Sequence, residues 1–437
     1  MTVRALTTPF AWMLCALLLL AAGCVKKTGS GDGDEAVSHT ISKKAYLHLQ
    51  RVGEHMEKKE YEEALEELDE MAERKYLKPY ERATMWRTRA GVHFALTKID
   101  EVVVDLEKSL EYNVLPKEEQ LDTEFNLAQA YLMTEKFGKA ADMFATWLEK
   151  VENPDPSVYF MTASAYSQAG KFEAALPYAK KAVEKMEKTE ESWLQLLLSI
   201  HYELKQNEEV AELLKRMIKE FNKKEHWLQL SQTYQSLGDS AKALAVLELA
   251  YDKGMVTEEK QLLTLARLML QEGVPLKAGA ILEKHMEAGE IERKPETLEL
   301  LATCWLMAED RPRAEATLED AAGAATSGEL YVRLAQFHVE RHEWAKAQEA
   351  LTEALKKGDL ESEGDAQLLL GIVNYNLKRM GAALTALMQA RKHESTKQAA
   401  KQWIELVKSE SGEGEGAGAT DASGGQATSA QPAAGGN

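Results

Sequence analysis

The chain has 437 residues, 45% hydrophobic and 28% charged, and its 53 basic against 71 acidic side chains leave a formal charge of −18. That composition excludes a wholly disordered chain. The acid excess is spread along the sequence, which excludes the clustered Lys and Arg of a nucleic-acid binder and argues against a basic membrane-docking surface.

The N-terminus opens with Arg4, and residues 11–22 are almost wholly apolar. That run is shorter than the about 20 residues of a bilayer-spanning helix and fits the apolar region of a secretory signal. It ends in Leu20-Ala-Ala-Gly23-Cys24. Small residues directly before a cysteine resemble the lipobox of bacterial lipoproteins, with Ala21 where a branched residue is usual and Leu20 one step back. The resemblance implies that residues 1–23 are a signal peptide, that Cys24 carries the lipid (palmitate among its chains), and that acyl chains hold the protein at a membrane. Val25 follows where Asp would mark inner-membrane retention, which implies the outer membrane, facing the periplasm. The residues alone leave open an ordinary signal peptide with a chance cysteine, or an uncleaved anchor.

Residues 24–42 read as a flexible tether,. Helical patterning then runs over 43–408. A residue followed three later by a small or branched one marks the second helix of each repeat: Tyr61/Ala64, Ile99/Val102, Phe137/Ala140, Phe172/Ala175, Asn207/Val210, Ser240/Ala243, Pro275/Ala278, Arg311/Ala314, Trp344/Ala347 and Met380/Ala383. Successive pairs lie 33 to 38 residues apart. The first helices repeat a large residue then a small one, as in Leu127-Ala128, Leu265-Ala266, Leu301-Ala302, Leu334-Ala335 and Leu370-Gly371. One hairpin cannot bury such faces alone, so copies must stack. The first, fifth and eighth copies depart most: His48 and Val52 fill signature sites in the first, Leu198 and Val210 in the fifth, and Arg311 opens the second helix of the eighth.

The clearest copy spans 227–250. Trp227, Leu230, Ser231 and Tyr234 share one helical face. Gly238-Asp239 breaks the run, and Ala243, Leu247 and Ala250 form a second stripe. This order resembles the tetratricopeptide repeat, Trp-x2-Leu-Gly-x2-Tyr then Ala-x3-Phe, whose period is about 34 residues. Ser231 stands for the Gly and Leu247 for the Phe. The resemblance implies an all-α fold, a right-handed superhelical α-solenoid of about ten tetratricopeptide-like helical hairpins, with first helices lining the concave side. A last amphipathic helix over 395–407 would cap it, Trp403 and Ile404 inward and Lys401 outward.

One step past the small residue of each first helix lie Gln129, Ser164, Ser199, Gln232, Arg267, Thr303 and Gln336. One turn earlier lie Phe125, Phe160, Gln195, Leu228, Leu263, Glu299 and Val332. From the third to the sixth copy this face is neutral and polar, with apolar steps. Amides and hydroxyls can bond an extended peptide backbone, while Phe and Leu take side chains. Phe125, Gln129, Phe160, Ser164, Gln195, Ser199, Leu228, Gln232 and Gln336 are therefore the candidate partner groove. The competing reading makes them partly exposed residues beside a core stripe.

No constellation for catalysis emerges, and no cofactor or metal is expected. The glycines punctuate turns and form no phosphate loop. His338-Val-Glu-Arg-His342 places two imidazoles one turn apart, but Val339 holds the position of the Glu in His-Glu-x-x-His, and His338 sits where the repeat has Tyr. Carboxylate pairs such as Glu62/Glu63 and Glu66/Glu67 read as helix surface. Of three cysteines, Cys304 alone falls on a packed helix face, as a buried small hydrophobe. The expectation is a non-enzyme. Residues 409–437, rich in Gly, Ala and Ser, are expected to form no core.

The final part is more specific. Gly358-Asp-Leu360, Gly364-Asp-Ala-Gln-Leu-Leu-Leu-Gly371, Tyr375-Asn-Leu-Lys378 and Lys397-Gln-Ala-Ala-Lys-Gln-Trp403-Ile404 resemble the end of a group of periplasmic repeat proteins. These accompany TonB-type energy-transduction systems with ExbB/ExbD-like motors. The resemblance covers about residues 300–408. It implies a protein partner among TonB, ExbB and ExbD components and a role in nutrient or iron uptake. The alternatives are an assembly factor for outer-membrane protein, pilus or exopolysaccharide machinery, or a regulator of a cell-wall enzyme.

Overall fold

The computed structural model describes residues 39–411. The residues expected to form a signal peptide, Cys24, most of the expected tether and the C-terminal residues from 412 lie outside the described residues. Among the described residues there are 21 α-helices and no strand. No helix among them is long and apolar enough to cross a membrane.

The chain divides into two compact units, one ending at Leu237 and one beginning at Gly238. The first holds α1 (Lys43–Lys58), α2 (Tyr61–Ala72), α3 (Pro79–Ala95), α4 (Ile99–Glu111), α5 (Lys117–Met133), α6 (Phe137–Lys150), α7 (Pro156–Gln168), α8 (Phe172–Lys185), α9 (Glu191–Glu203), α10 (Asn207–Phe221) and α11 (Lys224–Ser236). The second holds α12 (Ser240–Asp252), α13 (Glu259–Gln271), α14 (Pro275–Glu287), α15 (Pro295–Met307), α16 (Arg311–Ala324), α17 (Glu329–Glu340), α18 (Trp344–Lys357), α19 (Glu363–Asn376), α20 (Met380–Ala390) and α21 (Lys397–Glu410). Within each unit every helix packs on its neighbours in the chain. The helices alternate as first and second members of ten repeats, with α21 added at the end. The first, fifth and eighth copies are helical pairs like the rest.

The sequence register carries through residue by residue. Each of the ten anchors from Tyr61 to Met380 is the first residue of a second helix. The residue three later is at most 2% exposed in all ten, and Ala64, Ala140, Ala175, Ala314 and Ala383 are at 0%. At the eight alanines a methyl lets the neighbouring helix approach closely; in the second and fifth repeats Val102 and Val210 fill the same position,.

The turn inside each repeat has one geometry. Two residues before every second helix, φ is positive: at Lys59, Thr97, Glu135, Gly170, Lys205, Gly238, Gly273, Glu309, His342 and Lys378. Glycine occupies only three of the ten positions, although the left-handed region costs other residues about 1 kcal/mol. Hydrogen bonds hold the turn. In the second repeat the N–H of Lys98 donates to the His93 carbonyl at 2.9 Å, and in the third Lys136 donates to Tyr131 at 2.8 Å. Equivalent bonds run from Asp310 to Trp305 and from Arg379 to Asn374, each at 2.9 Å. They satisfy the last carbonyls of the first helix.

Packing is close where two elements cross without a side chain between them. A Cβ on Gly279 of α14 would lie 2.6 Å from the Trp305 ring, and one on Gly371 of α19 would lie 2.5 Å from Leu387 Cγ. At the C-terminal end Ile404 and Val407 of α21 join Ala383 and Leu387 in one cluster. Trp403 meets Tyr375 edge-on at 5.7 Å, and Lys401 is exposed. Burying side chains of this size contributes about 2 kcal/mol each, so α21 closes the second unit's apolar face.

Candidate functional site

The first helices of the fourth to sixth repeats are α7, α9 and α11. Their solvent faces follow the helical period. On α7 the face holds Ser157, Phe160, Ser164 and Gln168; on α9, Ser192, Gln195, Ser199 and Tyr202; on α11, Leu228, Gln232 and Gln235. None of these is buried. No Asp, Glu, Lys or Arg occurs in 156–170, 192–202 or 226–238. In a chain with 28% charged residues, charge on α9 and α11 is confined to the helix ends, at Glu191, Glu203, Lys224 and Glu225, and the stretches between them are neutral.

These helices are joined side to side. Phe160 and Trp193 stack with centroids 5.3 Å apart and ring planes 11° apart. The Tyr202 hydroxyl meets Thr233 Oγ1 at 3.1 Å. The two contacts bring α7, α9 and α11 into one wall. Several polar groups are bound locally: Gln168 Nε2 donates to Ser164 Oγ at 3.1 Å, Ser199 Oγ donates to the Leu196 carbonyl at 2.8 Å, and Gln195 Nε2 donates to Glu191 Oε1 at 3.3 Å. The Gln232 amide is unengaged among the described residues.

In the third repeat, Phe125 and Gln129 of α5 are half-buried. The Phe125 ring lies 5.5 Å from Phe144 and 5.0 Å from Trp147, both on the second helix of its own repeat. Part of that ring is thus packed inside the repeat. Gln336 is exposed on α17 in the second unit and belongs to a different kind of face. There Arg267 is exposed, and Arg333 of α17 pairs with Glu299 of α15. The first unit's wall is neutral between its helix ends; the second unit's first helices carry charge at Arg267, Glu299 and Arg333.

The sequence search missed one cluster. Glu315, His338 and Glu343 bring a donor atom each within 4.8 Å of one another. Arg341 reaches Glu315 at 2.9 Å and Glu343 at 2.8 Å, and Lys346 reaches Glu315 at 2.6 Å. Lys346 above all holds the Glu315 carboxyl below the usual carboxylate range. The carboxylates already have cations, so this is an ion-pair network tying α16, α17 and α18 together. His342 stands apart from His338: it occupies the left-handed turn at φ 61 beyond the end of α17, with its ring 5.3 Å from Trp344. Cys304 is fully buried, and burial pushes its thiol up to about 12. A thiolate nucleophile is unavailable there.

Repeated hairpins with an exposed, side-to-side wall define a helical repeat protein. The repeat the chain carries is the tetratricopeptide repeat. One model of that repeat matches residues 125–188 and 332–396, and a second matches 225–252. Solved structures with similarity include YrrB, described as a tetratricopeptide repeat protein with an unusual peptide-binding site, at 17% identity and a TM-score of 0.32, covering 39% of this chain and 85% of that one. A repeat protein from Parabacteroides merdae is 15% identical at a TM-score of 0.32, covering 58% of this chain and 98% of that one. MamA is 18% identical at 0.33, covering 39% of this chain and 97% of that one. No curated protein sequence matches the chain.

Proposed function

We propose that the protein is a lipid-anchored periplasmic scaffold that holds an extended segment of a partner protein along the first helices of its third to sixth repeats. It carries out no chemistry. The charge-free middle stretches of α7, α9 and α11 carry this reading: they offer amides, hydroxyls and partly exposed aromatic surface in one wall, which suits a peptide backbone. The tetratricopeptide fold supports a role in protein–protein interaction. The Leu20–Cys24 motif supports a lipid anchor, Val25 in place of Asp supports the outer membrane, and the resemblance over about 300–408 supports a TonB-type complex as the partner, with nutrient or iron uptake as the process served.

Two variants test the reading. Replacing Gln129, Phe160 and Gln232 together by Ala should weaken crosslinked capture of TonB, ExbB or ExbD components from native membranes while helix content stays intact; unchanged capture removes the groove. Cys24→Ser should move the protein from the membrane to the soluble fraction, and retention in the membrane removes the anchor.

A further inference from the structure

The wall's chemistry also selects what it can hold, an inference that rests on the groove reading above. Phe160 and Trp193, each partly exposed, stack on each other nearly parallel between two neighbouring first helices. Gln195 stands exposed on α9, one turn from Ser199 and with its Nε2 donating to Glu191, and Gln232 stands exposed on α11. The nearest acid, Glu191, is already paired with Lys223 and lies 3.3 Å from His226 Nε2; Glu203 and Glu225 sit at helix ends, outside the wall's centre.

A charged ligand side chain laid across this surface would lose water and meet only Glu191, whose charge Lys223 already offsets, so charge is selected against. Amides serve backbone N–H and C=O groups equally, whatever the ligand's sequence. Parallel aromatic faces suit a flat apolar group, and proline additionally holds its segment extended before binding, which lowers the ordering cost. The second unit, with Arg267 exposed and Glu299 paired to Arg333, offers no such neutral surface.

We infer that the wall of the fourth to sixth repeats takes an uncharged, extended peptide segment, with a proline or aliphatic side chain seated on Phe160 and Trp193 and the backbone bonded by Gln195 and Gln232. Attraction across such an interface is not Coulombic, so salt barely screens it.

The test uses the full chain and three fluorescein-labelled peptides of roughly seven residues, enough to cross three helices about 9 Å apart at ~3.3 Å per residue. The parent contains only Pro, Leu, Ser and Gln. In the other two, every Gln is replaced by Glu or by Lys. Anisotropy titrations should show the neutral peptide bound most tightly, with its Kd changing by less than about two-fold between low and high salt. Trp193→Ala should weaken it about tenfold. Gln195→Lys, a change on an exposed position that leaves the core alone, should weaken the neutral peptide and improve the Glu-bearing one. Tighter binding of either charged peptide by the wild type, a steep salt dependence, or indifference to Gln195→Lys overturns the inference and leaves the groove standing. Failure of all three peptides to bind overturns the groove reading as well.

Discussion

His338 and Glu343 hold each other twice. His338 Nδ1 lies 2.8 Å from Glu343 Oε2, and the Glu343 N–H donates to the His338 carbonyl at 2.9 Å. The backbone bond closes the left-handed turn; the side-chain bond satisfies an imidazole that is 2% exposed. The same double link joins His55 to Glu60 and His285 to Glu290, and Gln206 supplies it for His201 at 2.7 Å. Glu343→Ala leaves a buried donor unpaired and should cost roughly 1–3 kcal/mol. Glu343→Gln copies the arrangement at Gln206 and should recover most of that loss. Urea unfolding followed by circular dichroism checks both; equal losses would contradict the hydrogen-bond account.

The glycines separate into two groups with opposite expected effects. Gly279→Ala drives a methyl into the Trp305 ring, and Gly371→Ala drives one into Leu387. Each should destabilise by about 1–3 kcal/mol. Gly53, inside α1, has nothing within 4 Å of its would-be Cβ. Gly53→Ala should stabilise by roughly 0.5–1 kcal/mol. Thermal melts of the three variants settle it: a shift of the same sign in all three would refute the packing described.

Thr97 is a β-branched residue at φ 60. Its turn is held by the Lys98-to-His93 bond, so relieving the strain should leave the turn intact. Thr97→Gly is expected to raise stability by about 1 kcal/mol. The converse, Gly170→Ala at φ 71, should lower it by about the same amount. A loss on Thr97→Gly would show that the chain entropy of glycine outweighs the relief.

These turns mark where the sequence stops being readable. The second-helix register was legible because eight of the ten crossing positions, Ala64 and Ala140 among them, hold alanine and the other two hold Val102 and Val210, and composition displays that directly. The turns were not, because seven of the ten left-handed positions hold Lys, Thr, Glu or His; the hydrogen bonds that tolerate them belong to the backbone. The neutral faces could be read from helical period alone. That Phe125 packs on Phe144 and Trp147 could not, nor could the Glu315 network, whose members come from three helices. The i to i+5 spacing of His338 and Glu343 was the available signal.

Alkaline pH should unfold the protein early. Burial pushes the Cys304 thiol up to about 12. Tyr80, desolvated and donating to Glu119 at 2.9 Å, is also pushed up to about 12. In the unfolded chain these groups ionise near about 8.5 and about 10. Both folded values lie above the unfolded ones, so their stabilisation is complete below the unfolded values and is lost as pH rises toward the folded ones. The melting temperature should hold up to about pH 8 and fall steadily above it, less so in Cys304→Ala. A melting temperature that stays level to about pH 11 would contradict these environments.

The most direct measurement places a photo-reactive phenylalanine analogue at single positions of the full chain in its native cells. Phe160 and Gln232 report on the wall; Lys180 of α8 and Glu209 of α10, both exposed on second helices, report on the opposite surface. Illumination should attach one partner through the wall positions, with excess neutral peptide suppressing the product, and should attach none through Lys180 or Glu209. Adducts at Lys180 or Glu209 with Phe160 and Gln232 silent would place the docking surface elsewhere.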